Sequence, residues 1–307
     1  MAAIFNRDNI KRRFKRLNKT WKVYRSNWMG VVGLIIIITL VTLAIFAKQI
    51  SRYDPDDRDN DNIFQPPVPG HILGTNRHGN DIFSILLNSL GISLAVGVVA
   101  GSLTVILGTT IGVASAYIGG RVDTVIMRIT DVVLVIPALP LMLLLASLVP
   151  LIVDKLNWLD TIPWWFIIAF VYVVVFWPVS ARLIRGQALS LKQRAFVTSA
   201  KSAGAGNGYV IRKHLLPNVF PLMLTMIITS MRQAILYEAF LSFLGLGDPS
   251  NWSLGKMLSI AQQQASLATG AWWMYLPAGI AIALTTLSFA FIGMAFDEIV
   301  NPRLRRK

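Results

Sequence analysis

Six long apolar runs constrain this chain more than any motif in it. The first, residues 30–47, reads GVVGLIIIITLVTLAIFA and holds no charge. As a helix rising about 1.5 Å per residue it just covers a hydrocarbon core of about 30 Å. Five more follow at 90–118, 124–153, 162–184, 219–244 and 274–296. A cleaved signal peptide has a shorter apolar stretch and a small-residue cleavage site, whereas 30–47 is long and lies behind an extended basic leader. The predicted class is an all-α membrane protein with six transmembrane helices. Pro137 and Pro140 fall inside the third run and Pro178 inside the fourth. Each removes a backbone donor, so kinks covered by neighbouring helices are expected there.

Composition agrees. The chain is 54% hydrophobic and only 14% charged, against about 25% charged in soluble domains. A net charge of +14 would suit nucleic acid, but the basic residues sit between apolar runs and not on one face interleaved with aromatics. The absence of cysteine excludes disulfides, iron–sulfur clusters and thiolate zinc sites. His71, His78 and His214 show no metal-ligand spacing to nearby carboxylates, so no metal is expected.

The basic residues set orientation. Arg7, Lys11, Arg12, Arg13, Lys15, Arg16, Lys19, Lys22 and Arg25 fill the leader. Arg185, Lys192, Arg194, Lys201, Arg212 and Lys213 lie between the fourth and fifth runs, and Arg303, Arg305, Arg306 and Lys307 close the tail. An even number of spans puts all three regions on one side, which the positive-inside rule makes cytoplasmic. The intervening loop carries Asp54, Asp56, Asp57, Asp59, Asp61 and Asp81. Its DPDDRDNDN stretch lacks the glycine and terminal glutamate of a calcium loop and reads as a solvated outer segment. The expected organisation is a basic cytoplasmic segment (1–29), a first helix (30–47) and an acidic outer loop (48–89). A five-helix core (90–298) with a cytoplasmic loop at 185–217 follows, then a basic tail (299–307).

Charges inside spans are expensive and therefore informative. Arg128 and Asp131 are three apart, on one helix face where they can pair near the interface. Arg232 and Glu238 are six apart, too far to meet within a turn; they are candidates to line a polar pathway or to pair with other helices. The spans lack the carboxylate relay of a proton- or sodium-driven carrier, so the energy for transport is expected to enter from another subunit.

Trp177 to Pro221 is too patterned for a linker. RAFVTSAKSA predicts a short helix of small residues ending at Gly204 and Gly206, because glycine accepts the left-handed geometry of a helix end. A second amphipathic stretch, Tyr209 to Leu216, leads through Pro217 back into the membrane. GAGNG at 204–208 has neither GxGxxG spacing nor a following Gly-Lys-Ser/Thr, so it does not read as a nucleotide site. The pattern suits docking into a cleft of another protein, where small side chains allow close backbone approach. It equally suits an amphipathic helix lying on the bilayer.

The segment resembles the EAA loop of ABC importer permeases. Thr198, Ser199 and Ala200 stand at the Glu-Ala-Ala positions, Gly204 at the glycine, and His214, Leu215, Leu216 and Pro217 at the closing run. Thr198 replaces the family's glutamate. HILGTNRHGNDIFSILL (71–87), the third-span entry (119–145), LYEAFLSFLGLGDPSNWSLGKML (236–258) and the DEIVNPRLRRK tail are similar to segments of dipeptide and oligopeptide permeases. Gln187 and Glu238 fall in such recurrent segments. The resemblance, strongest to the C-type subunit with its basic leader, implies the type I importer permease fold with a cytoplasmic coupling helix. It further implies a paralogous permease, two cytoplasmic ATPases that bind ATP and Mg, an external solute-binding protein, and lipid around the spans. Peptides are the implied cargo, with oligosaccharides or nickel as alternatives. A self-powered secondary carrier is the remote one.

Overall fold

The computed structural model describes residues 21–155, 161–264 and 267–300. The leader up to residue 20 and the tail from 301, used above for orientation, lie outside the described residues. The described chain is helical, its β pairing confined to two isolated bridges, Val68 with His71 and Thr75 with Asp81.

Helix α1 (Trp28–Ile45) opens on Asn27, whose side chain accepts from the Gly30 N–H at 3.0 Å. A short α2 (Ala47–Ile50) follows. Helix α3 (Ile82–Ile118) has 37 residues, about 55 Å at 1.5 Å per residue and far longer than a hydrocarbon core. It starts ahead of the apolar run at 90 because Asp81 caps it, accepting from Ser84 N at 2.8 Å and Ser84 Oγ at 2.7 Å.

The expected third span is not continuous. It divides into α4 (Gly120–Val135) and α5 (Ala138–Lys155), which meet at 92°. Pro137 is the cause: its ring disfavours α geometry at the residue before it, and Ile136 is extended at φ −75°, ψ 128°. A kink was expected; a near right angle is found.

Then come α6 (Trp164–Lys192), α7 (Ala195–Ser202), α8 (Asn207–Val210), α9 (Leu216–Phe243), α10 (Leu254–Gln263) and α11 (Trp272–Val300). Among the described residues five helices are long and apolar enough to cross a membrane, and α4 with α5 makes a sixth if the bent pair is one span.

Helix α3 is the central staff, and glycines let its neighbours approach. A Cβ at Gly101 would fall 2.5 Å from the Met231 backbone nitrogen of α9. One at Gly112 would collide with the Ala181 carbonyl of α6. Both are small-xxx-small contacts, with Gly97 and Gly108 as the other members, of the kind that packs helices where lipid removes the hydrophobic drive. Gly112→Leu is therefore expected to separate α3 from α6 and destabilise the fold by about 1–3 kcal/mol or more. Thermal unfolding in detergent measures it, with Gly186→Ala, where a Cβ meets open space, as the control.

The acidic loop exposes Asp54, Asp56, Asp57 and Asp61 to solvent, and it is also folded on itself. His71 Nδ1 lies 2.9 Å from Asp81 Oδ1 and Nε2 lies 3.2 Å from Asp59 Oδ2, with the ring stacked on Tyr53. Hydrogen bonds from Asn62, then His71, hold the Asp59 carboxyl down at about 2. The loop is also pinned to the region between α9 and α11. Trp252 Nε1 donates to Asp56 at 2.8 Å, and Arg77 N donates to Gln264 Oε1 at 2.9 Å. Sequence reading missed this because the pairs are distant along the chain.

Candidate functional site: an anchored helical loop

The 185–217 segment folds as a helix, a glycine turn and a second helix. Helix α7 ends in a Schellman motif: Gly204 N donates to Lys201 O at 2.9 Å and Ala205 N to Ala200 O at 3.0 Å. Gly204 sits at φ +83°, the left-handed geometry its position requires. Helix α8 then runs without interruption through a π-helical turn, Ile211–Leu215, into α9. Pro217 accounts for the wide turn, since its ring presses on the preceding turn and it lacks an N–H. The second amphipathic stretch is thus the start of the fifth span, not a separate helix.

One face of this loop is buried. Val197, Val210 and Leu215 are fully enclosed in a cluster with Val113, Ala116 and Tyr117 of α3 and with Ile184 and Ala188 of α6. A helix merely floating on lipid would not bury these side chains in protein. The opposite face is open: Ala200, Gly204, Gly206, Tyr209 and His214 line a cleft of about 380 Å³. The His214 ring stands 5.8 Å from both Phe196 and Tyr209, joining the two helices across the cleft. Thr198, Ser199, Leu216 and Pro217 are exposed.

The charges expected within spans are arranged differently. Asp131 pairs not with Arg128 on its own helix but with Arg182 of α6, each side chain half exposed. Arg128 is exposed, with no carboxylate at ion-pair distance among the described residues. Glu238 is buried, accepting from Ser93 Oγ at 2.9 Å and Ser242 Oγ at 2.7 Å. Ser93 Oγ in turn accepts from Leu254 N at 3.1 Å, so Glu238 belongs to a knot holding the start of α10. Arg232 is half-buried and does not take part in that knot. Gln187 is exposed on α6.

Apolar spans, a charged pair between two of their helices and an anchored loop with an open outer face define the class: a helical membrane protein. Comparison with known proteins narrows it. Residues 108–306 match the family described as the inner membrane component of binding-protein-dependent transport systems. Residues 12–67 match the N-terminal transmembrane domain of oligopeptide transport permease C. The chain is 35% identical to the oligopeptide transport system permease protein OppC of Bacillus subtilis over 284 residues, 92% of this chain and 88% of that one. It is 33% identical over 291 residues to the dipeptide permease DppC of Alkalihalophilus pseudofirmus, covering 94% and 90%. With DppC of Haemophilus influenzae it shares 30% over 298 residues, covering 94% and 96%. The chain belongs to the family of binding-protein-dependent transport permeases and is a multi-pass membrane protein.

Proposed function

We propose that this chain is one of two paralogous permease subunits of a peptide importer, contributing half of the translocation path. The observation that carries the reading is the 195–217 loop, which packs Val197, Val210 and Leu215 against α3 and α6 while its small-residue face stays open. That face receives a cytoplasmic ATPase. Two ATPase subunits bind ATP and Mg, draw the two permeases' loops together on nucleotide binding, and so open the path outward to a solute-binding protein. This chain supplies no nucleotide site and no catalysis of its own. Both termini are cytoplasmic, and the loop folded around His71 faces the opposite side. Peptide as cargo is supported by the names of the OppC and DppC relatives and by their coverage of nearly the whole chain.

The pathway surface is best placed at the Asp131–Arg182 pair. Val125, Ile129, Val132 and Val135 of α4 are exposed around it. A half-exposed charge pair is expensive against lipid and reasonable against water or a partner permease.

The chain lacks cysteine, so single cysteines report sidedness cleanly. Cysteine at Asp57 or Ser250 is expected to react with impermeant maleimide in intact cells, and cysteine at Ser190 only after permeabilisation. Purified without its partners, the chain is expected to show no ATP hydrolysis; with them, a stoichiometric pair of ATPases should co-purify. Outside labelling at Ser190, or ATPase activity from the chain alone, would overturn the reading.

A further inference from the structure

We infer that Tyr117 is the positioning residue that makes the docking loop and helix α3 move as one body. The inference rests on the reading of 195–217 as the surface that receives the ATPase. Tyr117 lies in the last turn of α3, its side chain buried. Three parts of the loop region converge on this one residue. From the end of α6, Lys192 Nζ donates to the Ala116 and Tyr117 carbonyls at 3.0 and 2.9 Å, and its ammonium stands 5.5 Å from the Tyr117 ring centre. From α7, the Lys201 ammonium stands 5.0 Å from the same ring. From the first residue of α8, Asn207 Oδ1 accepts the Tyr117 hydroxyl at 2.7 Å.

Each contact has a physical reason. The last carbonyls of a helix have no intrahelical donor and carry the negative end of its dipole, so an ammonium there satisfies both. A tyrosine ring attracts cations within about 6 Å of its centre, and here two cations from different elements share one ring. The hydroxyl bond is the only one of these contacts that reaches beyond the glycine turn, into the helix that continues as α9. The ring thus bridges α7 and α8 across Gly204 while belonging to neither.

Rigidity is the consequence. The apolar contacts of Val197, Val210 and Leu215 can slide, because packing is not directional. Hydrogen bonds and shared cations fix register. Helix α3 is also approached closely by α6, at Gly112, and by α9, at Gly101. A displacement received at Tyr117 is therefore delivered along the central staff of the fold, and the loop cannot shift alone. A second clamp stands beside it: Arg185 Nε and Nη2 each donate to the Asp123 carboxylate at 2.6 Å, tying α6 to the start of α4. It holds α4, not the loop, so it does not substitute for Tyr117.

The test uses the assembled importer in lipid vesicles, with spin labels on cysteines at Thr110 of α3 and Ser202 of α7, both exposed. The distance distribution between labels is recorded without nucleotide and after trapping with ATP and vanadate. In the otherwise wild-type complex the two distributions are expected to coincide. Tyr117→Phe keeps the ring and loses the hydroxyl; Asn207→Ala loses the acceptor. Each is expected to broaden or shift the trapped distribution, and the double variant should do no more than either alone. Asn207→Asp keeps an acceptor and should behave as wild type. In parallel, labelled trialanine taken up per ATP hydrolysed should fall roughly two- to tenfold in Tyr117→Phe, the range a single net hydrogen bond sets. ATPase co-purification should be unchanged, which separates loss of linkage from loss of folding. A wild-type separation that changes on trapping overturns the inference, as do wild-type distributions in both single variants. ATPases that stay bound when Gly204 is replaced by valine would instead refute the docking reading, and the label distances would still decide the linkage.

Discussion

Gly204→Val is expected to leave the protein folded and inserted in the membrane while stripping it of its ATPase subunits. Gly204 sits at φ +83° as the turn residue of the Schellman motif. Nothing lies within 4 Å of where a Cβ would be placed, so the objection is backbone geometry and not crowding. A β-branched residue held there stores about 1–3 kcal/mol of strain. The turn relieves that strain by unwinding the end of α7, since Lys201 O and Ala200 O then lose their donors. The cleft between α7 and α8 is what changes shape, because Ala200, Gly204 and Gly206 line it. If the whole strain falls on the docked geometry, ATPase affinity drops roughly 5- to 150-fold, at tenfold per 1.4 kcal/mol. Pull-down of the ATPase pair measures the loss. The spans are untouched, so yield in the membrane fraction should match wild type. Wild-type association and uptake in Gly204→Val would reduce the loop to a structural cap on α3 and α6.

Two neighbours sharpen this. Ser199 is exposed one turn before the glycine, and Ser199→Ala should be silent within about 0.5 kcal/mol, the usual scale for surface changes. Thr198 is exposed as well, its hydroxyl reaching only the Arg194 carbonyl at 3.5 Å. Thr198→Glu therefore breaks nothing inside the chain, and any effect on association reports what the partner presents opposite it.

What could be read from sequence follows the range of the interactions involved. The spans were legible because lipid imposes length and apolarity on each helix separately. The end of α7 was legible because a left-handed turn asks locally for glycine, and Gly204 answers. The early start of α3 at Ile82 could have been found as well: Asp81 followed by Ser84 is a capping pattern that precedes the apolar run. The right angle between α4 and α5 was foreseen only as a kink. Proline fixes that the helix must break, but the angle depends on what the two halves pack against. The partners of charged residues were not legible at all. Arg128 and Asp131 satisfy helical spacing, yet Asp131 takes Arg182 across 51 positions of sequence. Glu238 finds Ser93 across 145. Tyr117 with Asn207 and His71 with Asp59 escape for the same reason.

Asp131→Asn and Arg182→Gln are each expected to cut transport sharply, and the exchange Asp131→Arg with Arg182→Asp to restore part of it. The two side chains are half exposed and pair across α4 and α6, where Val125, Arg128, Ile129, Val132 and Val135 of α4 are exposed as well. A charge deprived of its partner at membrane depth costs about 2.5–3.5 kcal/mol on insertion scales. Half exposure reduces that, since water or a partner subunit screens the remaining charge. A residual penalty of about 1–2 kcal/mol corresponds to roughly a 5- to 30-fold loss in a step that needs the pair. The structural alternative is an ion pair that only fastens α4 to α6; then thermal stability should fall in the single variants and transport per folded complex should not. If the pair borders the path, transport falls in complexes that remain assembled. The single variants should also grow sensitive to ionic strength, because counterions reach a charge in water and not one in lipid. Uptake into vesicles, normalised to co-purified ATPase and repeated at low and high salt, separates these outcomes. Single variants that transport as wild type at both salt concentrations would remove Asp131 and Arg182 from the pathway surface.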